Sequence, residues 1–139
     1  MVLEELEDGL EAKIKGLFLN SVPRYYDHTM KVVSNMKRIL EREKPGRERA
    51  AVLTAAAYLH DIGYAAPYGA DYVGNIEDQS VKIPTHCKTG VEISKKVLSE
   101  LGIEEGISRQ VVDLVSVHHG APFRKPDEDL KLLLEADNV

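Results

Sequence analysis

The sequence predicts an all-α fold, a single-domain bundle of five or six helices around a buried metal centre. Helical periodicity dominates the chain, and no stretch shows the sustained polar and apolar alternation of a β-strand. The polar residues that fall on the apolar helix faces are histidines and aspartates, which suit a metal site. A chain of 139 residues can bury a core as one domain, which we assign to residues 1–139.

Composition and charge exclude several classes of protein. The single cysteine, Cys87, rules out an internal disulfide framework. No apolar run is long enough to cross a bilayer and no secretory leader is evident, so the expected location is the cytoplasm. The formal net charge of -5 argues against a broad nucleic-acid surface. An anionic substrate would therefore need local cations or metals to hold it.

The spacing of apolar residues predicts six helical segments. They run over about 3–19, 24–44, 47–62, 86–101, 104–119 and 127–138. Pro23 suits the start of the second segment, and Pro45 with Gly46 ends it. Gly102 separates the fourth segment from the fifth, and Asp127 is a candidate N-cap for the last. The third segment is apolar nearly all round, so we expect it to be the central buried helix.

The segment from Tyr64 to Thr85 shows no convincing helical pattern. It contains glycine, proline and a cluster of three tyrosines, Tyr64, Tyr68 and Tyr72. A loop of that length inside a compact domain is usually functional or disordered. Two interpretations stay open: a lid or substrate wall whose tyrosines stack on a base, or an insertion without a function.

Four polar residues fall on the apolar faces of four predicted helices. They are His28 in the second segment, His60 in the third, His118 in the fifth and Asp137 in the last. Each lies three, four or seven residues from an apolar neighbour, which is the spacing of one helix face. A single histidine there is more often a satisfied core residue, but a buried carboxylate needs a partner. One shared metal explains the four together, because imidazole and carboxylate both bind zinc, manganese and iron.

The doublet His60-Asp61, in the string Leu-His-Asp-Ile-Gly, belongs to a longer ordered set. His28 precedes the doublet, and His86, His118 and Asp137 follow it. Arg-Tyr-Tyr-Asp-His-Thr surrounds the first histidine, His-Cys-Lys-Thr-Gly opens the fourth segment, and Leu-Glu-Ala-Asp ends the last. Over about residues 20–139, these strings resemble the HD-domain superfamily of metal-dependent phosphohydrolases, in its six-ligand, binuclear form.

The resemblance implies a site for divalent metal ions, of which we expect two. By it, the first metal is bound by His28, His60, Asp61 and Asp137. The second metal is bound by Asp61, which bridges the two, together with His86 and His118. The resemblance leaves the metal open among iron, manganese, zinc, cobalt and nickel, with magnesium as a further option.

The resemblance also implies a reaction, the hydrolysis of a phosphate ester or anhydride by metal-activated water. The expected substrate is a nucleotide or a similar small phosphorylated molecule. Asp61 would act at the reacting centre, where Arg24, one turn before His28, is a candidate for binding phosphate. His119 is a second candidate for that role, with contact to the second metal as an alternative. Arg24 and His119 both keep a second interpretation, as solvated residues at helix ends.

Two alternatives to the hydrolase stay open. Some proteins of the superfamily use the same six ligands to hold two irons and oxidise an organic substrate with oxygen, and others are regulatory modules without catalysis. No Gly-Tyr-Pro follows His118-His119, which argues against the cyclic-dinucleotide branch, and Tyr64 stands where many members have lysine. The chain ends two residues beyond Asp137, which we interpret as a minimal or truncated domain. A homo-oligomer is an open possibility, and no membrane partner is expected.

Overall fold

The fold is a bundle of α-helices throughout the part of the chain that the structure describes. A computed structural model describes residues 3–20, 23–65, 85–117 and 127–138, with the backbone alone for 85–89. The helices are α1 (Leu3–Leu19), α2 (Pro23–Glu43), α3 (Arg47–Leu59), α4 (Thr85–Glu100), α5 (Glu105–Val117) and α6 (Glu128–Asp137). The all-α prediction is confirmed, and each helix lies close to its predicted bounds.

The centre of the bundle is α3, as predicted. All of its residues from Val52 to Leu59 are buried, and it contacts α1, α2, α5 and α6. One boundary was wrong, because the predicted helix continued to residue 62 whereas α3 ends at Leu59. The chain then tightens into a 3₁₀ turn, Ile62–Tyr64. Gly63 within this turn is a poor helix former, which favours an end to the helix here.

The helices around α3 each bury one stripe of side chains. In α1 the buried residues are Leu6, Leu10, Ile14 and Phe18, spaced four apart as one helix face requires. Burying each such side chain fully is worth about 1.5–3 kcal/mol relative to leaving it exposed. Among the helices that the structure describes, none has the length and apolar character needed to cross a membrane.

Local stop and start signals set the ends of the helices. At the end of α4, Gly102 adopts a φ of 69°, a conformation that favours glycine. The N–H of Ile103 then donates to the carbonyl of Leu98 at 3.0 Å, and that of Gly102 to Ser99 at 3.0 Å, which is a Schellman stop. At the start of α6, the Asp127 side chain accepts from the Leu130 N–H at 2.9 Å. The predicted N-cap is confirmed.

Gly90 of α4 faces the 3₁₀ turn and the Val115 side chain. A Cβ added to Gly90 would lie 3.1 Å from Val115 Cγ1 and 3.5 Å from the Gly63 nitrogen. A larger residue here would require the Val115 side chain to shift by a few tenths of an ångström, whereas its contact with the Gly63 backbone would be an ordinary van der Waals contact. The N-terminal part of α4 therefore lies beside the turn that directly follows Asp61.

Candidate metal centre

Two histidines and two aspartates meet at the C-terminal end of α3. One ligand-type atom from each of His28, His60, Asp61 and Asp137 lies within 4.8 Å of all the others. His28 comes from α2, the histidine–aspartate doublet follows α3, and Asp137 ends α6. The structure thus brings together all four residues that the sequence analysis assigned to the first metal, from three separate parts of the chain.

Each imidazole in this cluster faces both carboxylates. His60 Nε2 lies 3.1 Å from Asp61 Oδ2 and 3.2 Å from Asp137 Oδ1. His28 Nε2 lies 3.0 Å from Asp137 Oδ1 and 3.4 Å from Asp61 Oδ2. The two imidazole ring centroids are 5.6 Å apart. The nitrogens and carboxylate oxygens thus surround one point, as the donor atoms of a metal site do.

The orientation of His60 is fixed from behind by the backbone. Its Nδ1 lies 2.8 Å from the Ala57 carbonyl oxygen, and since a carbonyl can only accept, Nδ1 must carry a proton and donate. When His60 is neutral, Nε2 is therefore an acceptor that faces the acceptor oxygens of Asp61 and Asp137. A proton or a cation must lie between these three atoms. Metal-binding histidines are commonly oriented by a backbone carbonyl in this way.

Without a metal, a proton on His60 meets this requirement. Burial lowers the pKa of His60, but hydrogen bonds to Asp137 and Asp61 outweigh burial and raise its pKa to about 10. The pKa of the Asp137 carboxyl is lowered, chiefly by its hydrogen bond with His60. A divalent cation would satisfy the same donor atoms with a larger positive charge. The two nitrogens and two carboxylates therefore fit a divalent metal ion.

The helix that carries Asp137 is attached to α2 by polar contacts. Asn35 Nδ2 donates to the carbonyl of Ala136, the residue next to Asp137, at 3.0 Å. Arg42 donates to both carboxylate oxygens of Glu135, at 2.7 and 3.0 Å. Our sequence analysis missed Asn35, although a signal was present. Asn35 follows His28 by seven residues, or two helical turns, which puts both on one face of α2.

Aromatic residues flank the cluster on two of the elements that build it. The rings of Tyr25 and Tyr64 are stacked, with centroids 4.3 Å apart and an interplanar angle of 9°. The guanidinium carbon of Arg24 lies 5.3 Å from the Tyr25 ring centroid. Arg24 is exposed and is not one of the four clustered residues. The sequence analysis named Tyr64 and Arg24 but did not predict that Tyr25 connects them.

The remaining predicted site residues lie at or beyond the edges of the described ranges. His86 is in the first turn of α4, which begins at Thr85, and only its backbone is described. His118 and His119 lie outside the described residues, as do Tyr68 and Tyr72. The second metal site therefore stays a prediction.

The helical bundle and this cluster together define the class of the protein: it is an all-α protein with a site for a divalent metal that is lined by histidine and aspartate. Comparison with protein families gives the same class a name. The model of the HD domain matches residues 25–139, nearly the whole chain, so the chain belongs to the HD domain family. Neither the search of curated proteins nor the search of solved structures found a match.

Proposed function

We propose that this protein is a metal-dependent phosphohydrolase that cleaves a phosphate ester or anhydride of a nucleotide or a similar small molecule. The cluster of four ligand atoms within 4.8 Å of one another is the observation that carries the proposal. Membership of the HD domain family supports it, because that family consists generally of metal-dependent phosphohydrolases. A divalent ion in such a site supplies a Lewis acid for phosphoryl oxygens and lowers the pKa of water.

We assign the first metal to the four clustered residues. His28 and His60 provide nitrogen donors, and Asp61 and Asp137 provide two negative charges that balance a divalent cation. The Ala57 carbonyl keeps the Nδ1 proton of His60 in place, so that Nε2 is the atom offered to the metal. Each of the four residues offers one donor atom; four donors would fill a tetrahedral zinc site, whereas an ion that takes six ligands, such as manganese, would keep positions for water and substrate.

We assign a second metal to Asp61, His86 and His118. Asp61 Oδ2 faces His28 and His60 in the first cluster, and the same carboxylate would also hold the second metal. The backbone position of His86 and the sequence position of His118 support this assignment. His86 lies in the first turn of α4, which packs on the turn after Asp61, and His118 directly follows the end of α5.

We propose that Arg24 and His119 bind the phosphoryl group. Arg24 lies four residues before His28, so both are on one face of α2, one turn apart. An arginine in that position can donate two hydrogen bonds to a phosphate. His119 follows the proposed metal ligand His118, and its imidazole would hold a phosphoryl oxygen that carries charge in the transition state.

The test begins with metal analysis of protein purified without chelators. Phosphate release is then measured from nucleoside mono-, di- and triphosphates with manganese, cobalt, nickel, zinc or magnesium added. We expect bound metal in the purified protein and metal-dependent phosphate release from at least one nucleotide. Substoichiometric metal that does not rise on addition of metal would contradict the proposal. Iron content with oxygen consumption and no phosphate release would instead support an oxygenase.

A pair of matched variants tests whether metal binding and phosphate release depend on the clustered residues or on any aspartate of the chain. Asp61→Asn keeps the shape of the side chain but removes the charge that a metal requires, so we expect loss of both metal and phosphate release. Asp8→Asn makes the same change at an exposed position of α1 and should leave both unchanged. Full activity in Asp61→Asn would rule out the assigned site.

A further inference from the structure

A series of three aromatic rings runs from the core to the surface beside the metal centre; we refer to Phe18, Tyr25 and Tyr64 as the aromatic ladder. Phe18 is fully buried, and its ring centroid lies 6.2 Å from that of Tyr25. Tyr25 is partly buried against the core and stacks on Tyr64 at 4.3 Å. Tyr64 is 37% exposed. Among the residues that the structure describes, the outermost ring of the ladder is thus one with part of its surface exposed.

Both outer rings of the ladder are fixed close to metal-ligand positions. Tyr25 precedes His28 by three residues on α2, which is less than one helical turn. Tyr64 follows Asp61 by three residues, and its N–H donates to the Asp61 carbonyl at 3.1 Å. The 3₁₀ turn thus folds Tyr64 back onto α2. A phosphate bound at the metal centre would have the Tyr64 ring within reach of the group attached to it.

Exposing the apolar surface of an aromatic ring to water costs free energy, and a ligand that covers the ring would remove this cost. A stacked base covers apolar ring surface and is attracted to the π-face, which every base also has. Arg24, whose guanidinium lies 5.3 Å from the Tyr25 ring centroid, adds a cation on the same side of α2 as the ladder. The site thereby offers a metal centre and arginine for phosphate and a flat ring for a planar substituent.

We propose that Tyr64 is the base-stacking residue of the site, supported from behind by Tyr25, and that the substrate is a phosphorylated molecule with a planar aromatic base. This inference rests on the proposed function, since it takes the phosphate to be bound at the metal centre. The competing interpretation is structural: the ladder fastens the 3₁₀ turn to α2 and contacts no ligand. The two interpretations differ in which substrates a change at Tyr64 affects.

A binding experiment that needs no turnover tests the proposal directly. The chain has no tryptophan, so Tyr64→Trp introduces a single tryptophan at the end of the ladder, whose emission can be excited selectively over that of the remaining tyrosines. The metal-loaded variant is titrated with α,β-methylene-ADP and, separately, with methylenediphosphonate, which has the same phosphonate groups but no base. We expect quenching by the nucleotide and none by methylenediphosphonate. Absence of quenching at nucleotide concentrations that displace methylenediphosphonate would overturn the proposal.

Kinetics with ring-removing variants give a second, independent readout. Tyr64→Leu should raise KM for the nucleotide substrate by about 5- to 100-fold, the range expected for loss of one stacked base. Its activity on ribose 5-phosphate should stay unchanged. Tyr64→Phe, which keeps the ring, should retain the wild-type KM. Tyr26→Leu is the matched control, because the Tyr26 hydroxyl contacts Glu11 outside the ladder, and it should not alter KM for either substrate.

The outcomes distinguish this inference from the proposed function. Equal losses on nucleotide and ribose 5-phosphate in Tyr64→Leu would show that the ladder is structural and would overturn the stacking role alone. Absence of phosphate release from every substrate would contradict the proposed function instead. In that case the fluorescence titration still decides whether Tyr64 meets a base.

Discussion

The two sides of the metal centre are held in place by different means. His60 and Asp61 follow the most buried helix, and His60 is itself fully buried, so close packing sets its position. Asp137 ends a helix of ten residues, and its side chain is 20% exposed. On that side, polar contacts from α2 hold the last turn of α6, through Asn35 to the Ala136 carbonyl and Arg42 to Glu135.

Because of this difference, changes on the two sides of the site should affect stability and metal affinity differently. A change on the α3 side removes a ligand and also disturbs the core, so stability and metal affinity should fall together. A change on the α6 side can move or remove Asp137 while the core stays intact. The polar side of the site is therefore where metal affinity can be changed with little effect on the fold.

The largest expected effect is a difference in unfolding free energy between two alanine variants. His60→Ala removes a buried side chain and leaves a cavity beside two carboxylates, which should cost about 2–5 kcal/mol of unfolding free energy. Asp137→Ala should cost less than half of that, because its side chain is partly solvated. Both should lose metal and reduce phosphate release by more than the roughly 10- to 100-fold typical of residues that only support a ligand. Urea unfolding with EDTA present measures the first effect, and equal losses in the two variants would contradict the comparison.

The second-largest expected effect is the pH dependence of the stability of the metal-free protein. The pKa of His60 is raised to about 10, above its unfolded value of about 6.5. Its contribution to stability is therefore complete below about pH 6.5 and is lost as the pH rises towards 10. Between pH 7 and 8.5 the loss should be at most about 2 kcal/mol.

Urea unfolding in EDTA at several pH values measures this decline. The pKa of Asp137 is lowered, so its contribution disappears only on acidification and does not oppose the trend. His60→Gln, which cannot take up a proton, should be flat over the same range, and a parallel decline in that variant would assign the effect to other groups. Because a metal must replace the His60 proton, added zinc should release protons over this pH range.

The fold and the inward position of three of the first-metal ligands could be predicted because both depend on helical periodicity, whereas the full ligand set, with Asp61, came from the resemblance to the HD-domain superfamily. His28, His60 and Asp137 stand on apolar stripes, so the helices that bury those stripes must also bring the polar residues inwards. The position of α3 followed from the same pattern, since a helix that is apolar on all sides must lie in the centre. No long-range contact had to be known to predict the helical fold or the inward position of these three residues.

The aromatic ladder and the Asn35 contact could not be predicted in the same way. The stack of Tyr25 on Tyr64 requires a 3₁₀ turn where the helical pattern suggested that α3 continued to residue 62. The Asn35 amide binds a carbonyl 101 residues away, and a backbone carbonyl carries no sequence signal at all. Both features depend on how helix ends meet, which periodicity within one helix does not specify.

Asn35→Ala should have a smaller effect that falls mainly on metal binding. It leaves the partly buried Ala136 carbonyl without its donor, which should cost about 1 kcal/mol of stability. The looser end of α6 should weaken cobalt affinity by roughly tenfold, as for groups that orient a ligand. Arg38→Ala is the matched control, because Arg38 is an exposed neighbour that donates to the Asn35 side-chain oxygen at 2.9 Å and not to the Ala136 carbonyl. Unchanged cobalt affinity in Asn35→Ala would remove Asn35 from the set of positioning residues.

Arg42→Met should have the smallest effect, although one of its two bonds to Glu135, at 2.7 Å, is shorter than the 3.0 Å bond from Asn35 to Ala136. Both side chains are about half exposed, at 52% and 49%, and water and salt compete effectively for such pairs. At about 0.15 M salt, we therefore expect little change in the urea midpoint or in cobalt affinity, with any change larger at low salt. If Arg42→Met weakened cobalt binding as much as Asn35→Ala at every salt concentration, charge would hold Asp137 in place. The hydrogen bond from Asn35 to the Ala136 carbonyl would then not be the contact that holds the α6 side of the site in place.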